Sequence, residues 1–370
     1  MDISRIDKNF SPEPADENGF MFRDVKLEPF RLEGLAWFHE NQQAYFRLPM
    51  TFTEKEVNSG TLELSHQTPG VCVRFRSDSP EVMIRAIPAL SYDMNHMPRT
   101  GSCGFDSYRK EPGGDLLYNC TVQPALNQIA KQLPILAKCG YNPDGQLCEW
   151  VVNFPLYSGV EKVEIGLKEG CTILPPLPHK VENPILFYGN SITQGGCASR
   201  PGNMYPSMLC RKVDAEQINL GFSGSGRGDI AVAKAIAGLK LSAVVLDYDH
   251  NAPDPEHLKK THEPFFRVIR EAAPDLPVIM MSMCNFRTCD FRKPDGQYSL
   301  RREIIRQTWL HAVEAGDRNV YFIDGETLFG REMHDSCTVD GNHPNDLGFY
   351  RIYKHVLPVL RKALRSKTSS

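Results

Sequence analysis

The chain has 370 residues, 41% of them apolar and 24% charged, and a formal net charge of −3. That length fits two domains, and the near-neutral charge without a long basic run offers no footing for a nucleic acid or an anionic membrane. The opening MDISRIDKNFSPEPADENGF has no apolar run behind a positive start, and no stretch approaches the ~20 apolar residues that span a bilayer, so a cytoplasmic location is expected.

Residues 1 to about 175 read as β. Val71, Val73 and Phe75 alternate with Arg74 and Arg76, and Val82, Ile84 and Ala86 repeat the period, as do Val163, Ile165 and Leu167. Turn clusters such as SDSP, EPGG and NPDG separate these runs, which predicts a β-sandwich or jelly roll. The stretch from Gln123 to Lys138 has room for a short helix. ILPPLPHKVENP, from Ile173 to Pro184, carries four prolines and reads as a stiff connector, so the domains are expected to span 1–175 and 184–370.

Beyond Pro184 strands and helices alternate. Strands are expected at Ile185–Tyr188, Gln217–Leu220, Ala243–Leu246, Pro277–Met283 and Val320–Ile323. Leu258, Phe265, Ile269 and Ala272 mark one helix, which Pro264 should kink or delay. Ile305, Trp309 and Val313 mark another, with Gly316 as its C-cap. This alternation predicts a parallel five-stranded sheet with helices on both faces, and ligands beyond the C-terminal strand ends.

Four segments carry chemistry: YGNSITQGG with Ser191, NLGFSGSGRG with Gly224, LDYDHN with Asn251, and DGNHPND with Asp340 and His343. A serine hydroxyl is a weak nucleophile until a base takes its proton. His343 is suited to that task, with Asp340 three residues earlier to hold its tautomer. The backbone N–H groups of Ser191 and Gly224 and the Asn251 amide are candidate oxyanion donors. Asn251 is preferred to its neighbour His250, because adjacent strand-like residues point opposite ways.

Rival readings of these residues are weaker. GFSGSGRGD fails the G-x-G-x-x-G pattern because Asp229 takes the last glycine's place, so no dinucleotide cofactor is expected. The histidines show no metal-ligand spacing. Among 11 cysteines, Cys284 and Cys289 form only a lone C-x4-C, so neither a metal nor a disulfide framework is expected.

The four blocks in this order resemble those of the SGNH or GDSL hydrolases. GNSIT is similar to the nucleophile block, although Asn190 replaces the usual aspartate. The third block reads D-H-N in place of G-x-N-D. The resemblance implies a flavodoxin-like three-layer domain, ester hydrolysis without metal or cofactor, and the triad Ser191, Asp340 and His343. Gly104–Tyr108, GFDSY, resembles the G-x-D-L-Y motif of a β-sandwich domain that precedes some of these enzymes, with Ser107 in place of leucine. GGCASRPGNMYP, Gly195 to Pro206, is similar to the same subgroup. Family analogy points to small acyl esters, acetylated carbohydrates first, with an acyltransferase or a carbohydrate-binding protein as alternatives. Asp106 and Tyr108 either line the substrate cleft or satisfy a buried turn or domain interface. Arg200 either meets an anionic or sugar group or pairs with an acid.

Overall fold

The computed structural model describes residues 15–89, 93–284 and 297–366; Cys289 lies outside them. Among the described residues, ten antiparallel strands make up the first half. They are β1 (Phe20–Asp24), β2 (Arg31–Glu33), β3 (Cys72–Ser77), β4 (Glu81–Pro88) and β5 (Phe105–Lys110), then β6 (Leu117–Val122), β7 (Ile135–Tyr141), β8 (Cys148–Asn153), β9 (Val160–Lys168) and β10 (Ile173–Leu174). One sheet runs β1-β9-β4-β7 and the other β10-β3-β8-β5-β6, with β2 also paired to β3. The alternating apolar residues close a single core, in which Val73, Phe75, Val82, Ile84, Trp150, Val152 and Ile165 are fully buried. Each such side chain contributes about 1.5–3 kcal/mol relative to exposure. The short helix expected after Gln123 is Leu126–Ala130.

The outer face of β3 is not solvated as the alternation suggests. Arg74 is buried, paired with Glu33 and Glu149, and its Nη2 donates to the Leu177 carbonyl at 2.9 Å. Together with Arg76, whose Nε reaches the Pro175 carbonyl at 2.8 Å, it fastens the proline-rich connector along the sheet. A buried cation is tolerable because it is paired with two carboxylates and hydrogen-bonded through both Nη atoms.

The second half contains the parallel strands β11 (Val181–Gly189), β12 (Ala215–Gly221), β13 (Ala243–Asp247), β14 (Val278–Met281) and β15 (Val320–Ile323), ordered β12-β11-β13-β14-β15. Alternate residues of β11 serve opposite layers. Ile185 and Phe187 pack with helices Tyr205–Val213 and Asp346–Ser366, whereas Leu186 and Tyr188 pack with Ile230–Ala237, Pro255–Ala272 and Gln297–Glu314. Trp37, Phe46, Leu48 and Val57 join this last layer, so part of the N-terminal segment packs into the core of the α/β half.

Two local expectations change. Helix Pro255–Ala272 starts at its Asp254 N-cap and runs through Pro264 without delay. In Gln297–Glu314 the buried stripe is Arg301, Ile305, Thr308 and Ala312, while Val313 is exposed. Arg301 occupies the stripe because its guanidinium donates to the Asp249 and Ala252 carbonyls at 2.6 and 2.7 Å. Among the described residues, no helix is long and apolar enough to cross a membrane.

Candidate active site

Ser191 opens the one-turn helix Ser191–Gln194 directly beyond β11. Asn190 caps that turn, its Oδ1 accepting from the N–H groups of Ile192 and Thr193 at 2.7 and 3.4 Å, and its Nδ2 donates to the Asp247 carbonyl at 2.8 Å. Asparagine caps helices as well as aspartate does, so the neutral substitute keeps the turn. The sharpness of the turn depends on Gly189, where a Cβ would stand 2.1 Å from Thr193 Oγ1 and 2.4 Å from the Asp247 carbonyl oxygen.

His343 and Asp340 approach from the loop before helix Asp346–Ser366. His343 Nε2 is 3.0 Å from Ser191 Oγ, and Nδ1 is 2.7 Å from Asp340 Oδ2. With Nδ1–H donating a hydrogen bond to Asp340, Nε2 keeps its lone pair toward the serine hydroxyl. The other oxygen of Asp340, Oδ1, accepts the N–H groups of Asn342 and His343 at 2.9 and 2.7 Å. Partial burial raises the pKa of this carboxyl, but the bonds from the His343 side chain and the two backbone N–H groups outweigh it and hold the group at about 2.

The candidate oxyanion residues flank this turn. Gly224 follows β12 with φ +70°, and a Cβ there would meet open space, so it is the left-handed backbone that favours glycine. Asn251 lies in a 3₁₀ turn, Asp249–Asn251, instead of the strand-like run expected. Its Nδ2 donates to the Phe222 carbonyl at 2.9 Å, which uses one of its two amide hydrogens. Because a turn replaces the strand, His250 does not simply face away. Its Nε2 is 2.9 Å from Asn342 Oδ1, inside the loop that carries Asp340 and His343.

Asp106 and Tyr108 meet Arg200 and Gly202, which follow the Ser191 turn in the second half. Asp106 has no accessible surface. It accepts from Arg200 Nη1 at 2.7 Å, the Gly202 N–H at 3.0 Å and Asn153 Nδ2 at 2.9 Å, and Tyr108 OH accepts from Arg200 at 2.6 Å. Arg200 thus pairs with an acid. Gly202 is pressed into this clasp, since a Cβ there would meet Tyr108 OH at 2.3 Å. Ser107 is buried and its Oγ has no partner among the described residues, consistent with a position that favours leucine. A cavity of about 540 Å³ lies near this clasp, lined by Arg74, Tyr108, His179, Arg211, Gln217 and Tyr353 among others; no triad residue borders it.

Several residues around the nucleophile were not singled out from sequence. Arg47 is buried and donates to the carbonyls of Asn219 and Gly221, both at 2.9 Å, while its guanidinium lies 4.5 Å from the centre of the Phe222 ring. Burial lowers its pKa to about 9, which still leaves a cation at neutral pH. Gln194 Oε1 accepts the Ser223 N–H at 2.8 Å, and Tyr157 OH donates to the Ser191 carbonyl at 3.3 Å. Arg47 and Tyr157, both from the N-terminal half, thus brace the nucleophile turn and the glycine loop. His96 lies on the same side, its ring 5.5 Å from that of His343 and edge-on to it. None of these three belongs to a local motif.

The chain matches two family models, GxDLY, the N-terminus of SGNH-type esterases, over residues 20–173, and GDSL-like lipase/acylhydrolase over 182–361. No curated protein matches it. Among solved structures, a protein of Bacteroides ovatus described as a GDSL-like lipase is 26% identical with a TM-score of 0.82, covering 94% of this chain and 98% of its own. A salicylyl-acyltransferase from a tetracycline biosynthetic pathway is 18% identical with a TM-score of 0.76, covering 95% and 99%. A family two carbohydrate esterase from Clostridium thermocellum, in complex with cellohexaose, is 13% identical with a TM-score of 0.54, covering 80% and 94%. Sandwich, parallel sheet and both family matches fall on one chain in one order, and this chain belongs to the SGNH/GDSL hydrolases and is an esterase with a GxDLY-type N-terminal domain.

Proposed function

We propose that the chain hydrolyses carboxylic esters through an acyl-enzyme, with Ser191 as nucleophile, His343 as base and then acid, and Asp340 holding the imidazole. The observation that carries this reading is the continuous relay Ser191–His343–Asp340, with bonds of 3.0 and 2.7 Å. Ser191 attacks the ester carbonyl as His343 takes its proton. The imidazolium formed is stabilised by Asp340 and returns the proton to the leaving alcohol. Water then repeats the sequence and frees the acid. The N–H groups of Ser191 and Gly224 and the free amide hydrogen of Asn251 serve the oxyanion in this scheme. None of these steps calls on a metal or a cofactor. Residues 184–370 supply the chemistry, and residues 1–175 brace it.

The substrates in this reading are small acyl esters, acetyl groups on carbohydrates first. Its support is the likeness in fold to the family two carbohydrate esterase over 80% of this chain. Transfer of the acyl group to an alcohol other than water is the second reading, supported by the likeness to the salicylyl-acyltransferase along nearly the whole chain. Comparing free acid with acylated acceptor in the products separates the two.

Ser191→Ala tests the triad. Its kcat is expected to fall by about 10⁴-fold or more with an unchanged circular dichroism spectrum, and a fluorophosphonate probe is expected to label Ser191 alone. Near-wild-type turnover by the folded variant overturns the reading.

A further inference from the structure

His96 is not used by the triad relay, yet it sits against it. It is half-buried in the segment that follows β4 of the N-terminal half. One donor atom each from His96, Asp340 and His343 lie within 4.8 Å of one another. Two imidazoles and a carboxylate are a zinc-type donor set, and a tetrahedral ion would bring such atoms to about 3.3 Å apart, given metal–ligand bonds near 2.0–2.1 Å. The surroundings favour a ligand role. His96 Nδ1 is 3.1 Å from Asn95 Oδ1, an acceptor suited to the tautomer that carries its proton on Nδ1 and its lone pair on Nε2. Metal-binding histidines are held in this way, with the second ring nitrogen donating to an oxygen. Asp340 supplies the negative charge that a dication seeks.

We propose that His96, Asp340 and His343 form an inhibitory site for zinc or a similar divalent transition metal, in which the N-terminal half contributes the ligand that closes the esterase centre. Occupancy of His343 by the ion disables the base. Asp340 faces Nδ1, so an ion held by Asp340 and His343 together sits on Nδ1. Metal on Nδ1 leaves the neutral ring's remaining proton on Nε2, which then has nothing to accept with. Binding stands on the geometry of the three donors, whereas inhibition rests on the triad reading above.

The two parts are separable by experiment. Zinc is titrated calorimetrically into metal-stripped Ser191→Ala protein and into Ser191→Ala/His96→Phe, a change that keeps an aromatic ring against His343 but removes the ligand. Hydrolysis of a p-nitrophenyl ester is followed at rising zinc in the wild type and in His96→Phe, each normalised to its own zinc-free rate. One zinc per chain is expected in Ser191→Ala, with affinity weakened about tenfold or more by His96→Phe, and a matching rise in the half-inhibitory concentration. Absence of zinc binding to the folded Ser191→Ala protein, or equal binding and inhibition with and without His96, overturns the proposal. Failure of the triad reading registers differently, as hydrolysis by Ser191→Ala itself, and leaves the calorimetric result standing.

Discussion

Two aspartates of this molecule face nitrogenous partners and behave in opposite ways. Asp340, in the strand-end loops, keeps 38% of its side chain exposed and is held at about 2 by the hydrogen bonds of its own turn. Asp106, in the clasp between the two halves, has no exposed surface, and its pKa is raised because burial outweighs Arg200, Asn153 and the Gly202 N–H. The count of hydrogen bonds is similar; access to water is not. The contrast separates a carboxylate that hydrogen bonds keep charged from one that burial works to neutralise, a distinction that residue type and motif membership do not make.

Activity is where this contrast should break most visibly if it is wrong. Asp340→Ala is expected to lower kcat by about 10⁴-fold, the loss typical when the orienting aspartate of a triad is removed, with little change in thermal stability. Asp106→Ala is expected to do the reverse. Removing one partner from a buried pair costs about 3–5 kcal/mol, while kcat of the folded fraction changes by less than about tenfold. Paired denaturant melts and initial rates check both, and a large kcat loss in a stably folded Asp106→Ala protein would return Asp106 to the substrate cleft.

A smaller effect is expected within the strand-end loops. Asn251→Ala should lower kcat by about 10²–10³-fold with less change in KM, because the oxyanion charge develops only in the transition state. His250→Ala is expected to act through the Asn342 contact, weakening the hold on the loop of Asp340 and His343. His250→Gln, which can still meet Asn342, should then recover most of the rate. A large kcat loss for His250→Ala that glutamine does not restore, with Asn251→Ala near wild type, would move the side-chain donor role from Asn251 to His250.

What the sequence discloses about this site follows the range of the interactions. The candidate triad is readable because each member sits beside a strand end or inside a short turn: Asp340 binds the N–H of His343 three residues on. Strand periodicity likewise exposes the sandwich core at Val73, Phe75, Ile84 and Ile165. The bracing residues are hidden by separation. Arg47 reaches the Gly221 carbonyl across 174 positions and Tyr157 reaches Ser191 across 34, with no local pattern to mark either. The same holds for His96, whose partner His343 lies in the other half of the chain. The departure at Asn251 and His250 has another origin: strand alternation gives way at Asp249–Asn251 to a 3₁₀ turn, which carries both side chains into the neighbourhood of the site.

The finest test of the two aspartates is the sign of their pH dependence. A free aspartate titrates near about 3.9, and stability depends on pH wherever the folded and unfolded values differ. Asp340 lies below that reference, so its contribution is present at neutral pH and is lost as pH falls from the unfolded value through about 2. With more than a third of the side chain exposed, solvent screens the effect to less than about 1 kcal/mol. Asp106 lies above the reference, so its ionisation works against folding, and stability is lost as pH rises from the unfolded value through the raised folded one. Substituting each by asparagine removes one contribution. The stability of Asp340→Asn relative to wild type should therefore improve as pH drops below about 4, because the wild type is losing what the variant never had. That of Asp106→Asn should improve in the other direction, as pH climbs above the same point. Urea melts of the three proteins across pH 2.5 to 7, at fixed ionic strength, read both slopes, and slopes of the same sign would mean that burial does not distinguish these carboxylates in the way their surroundings require.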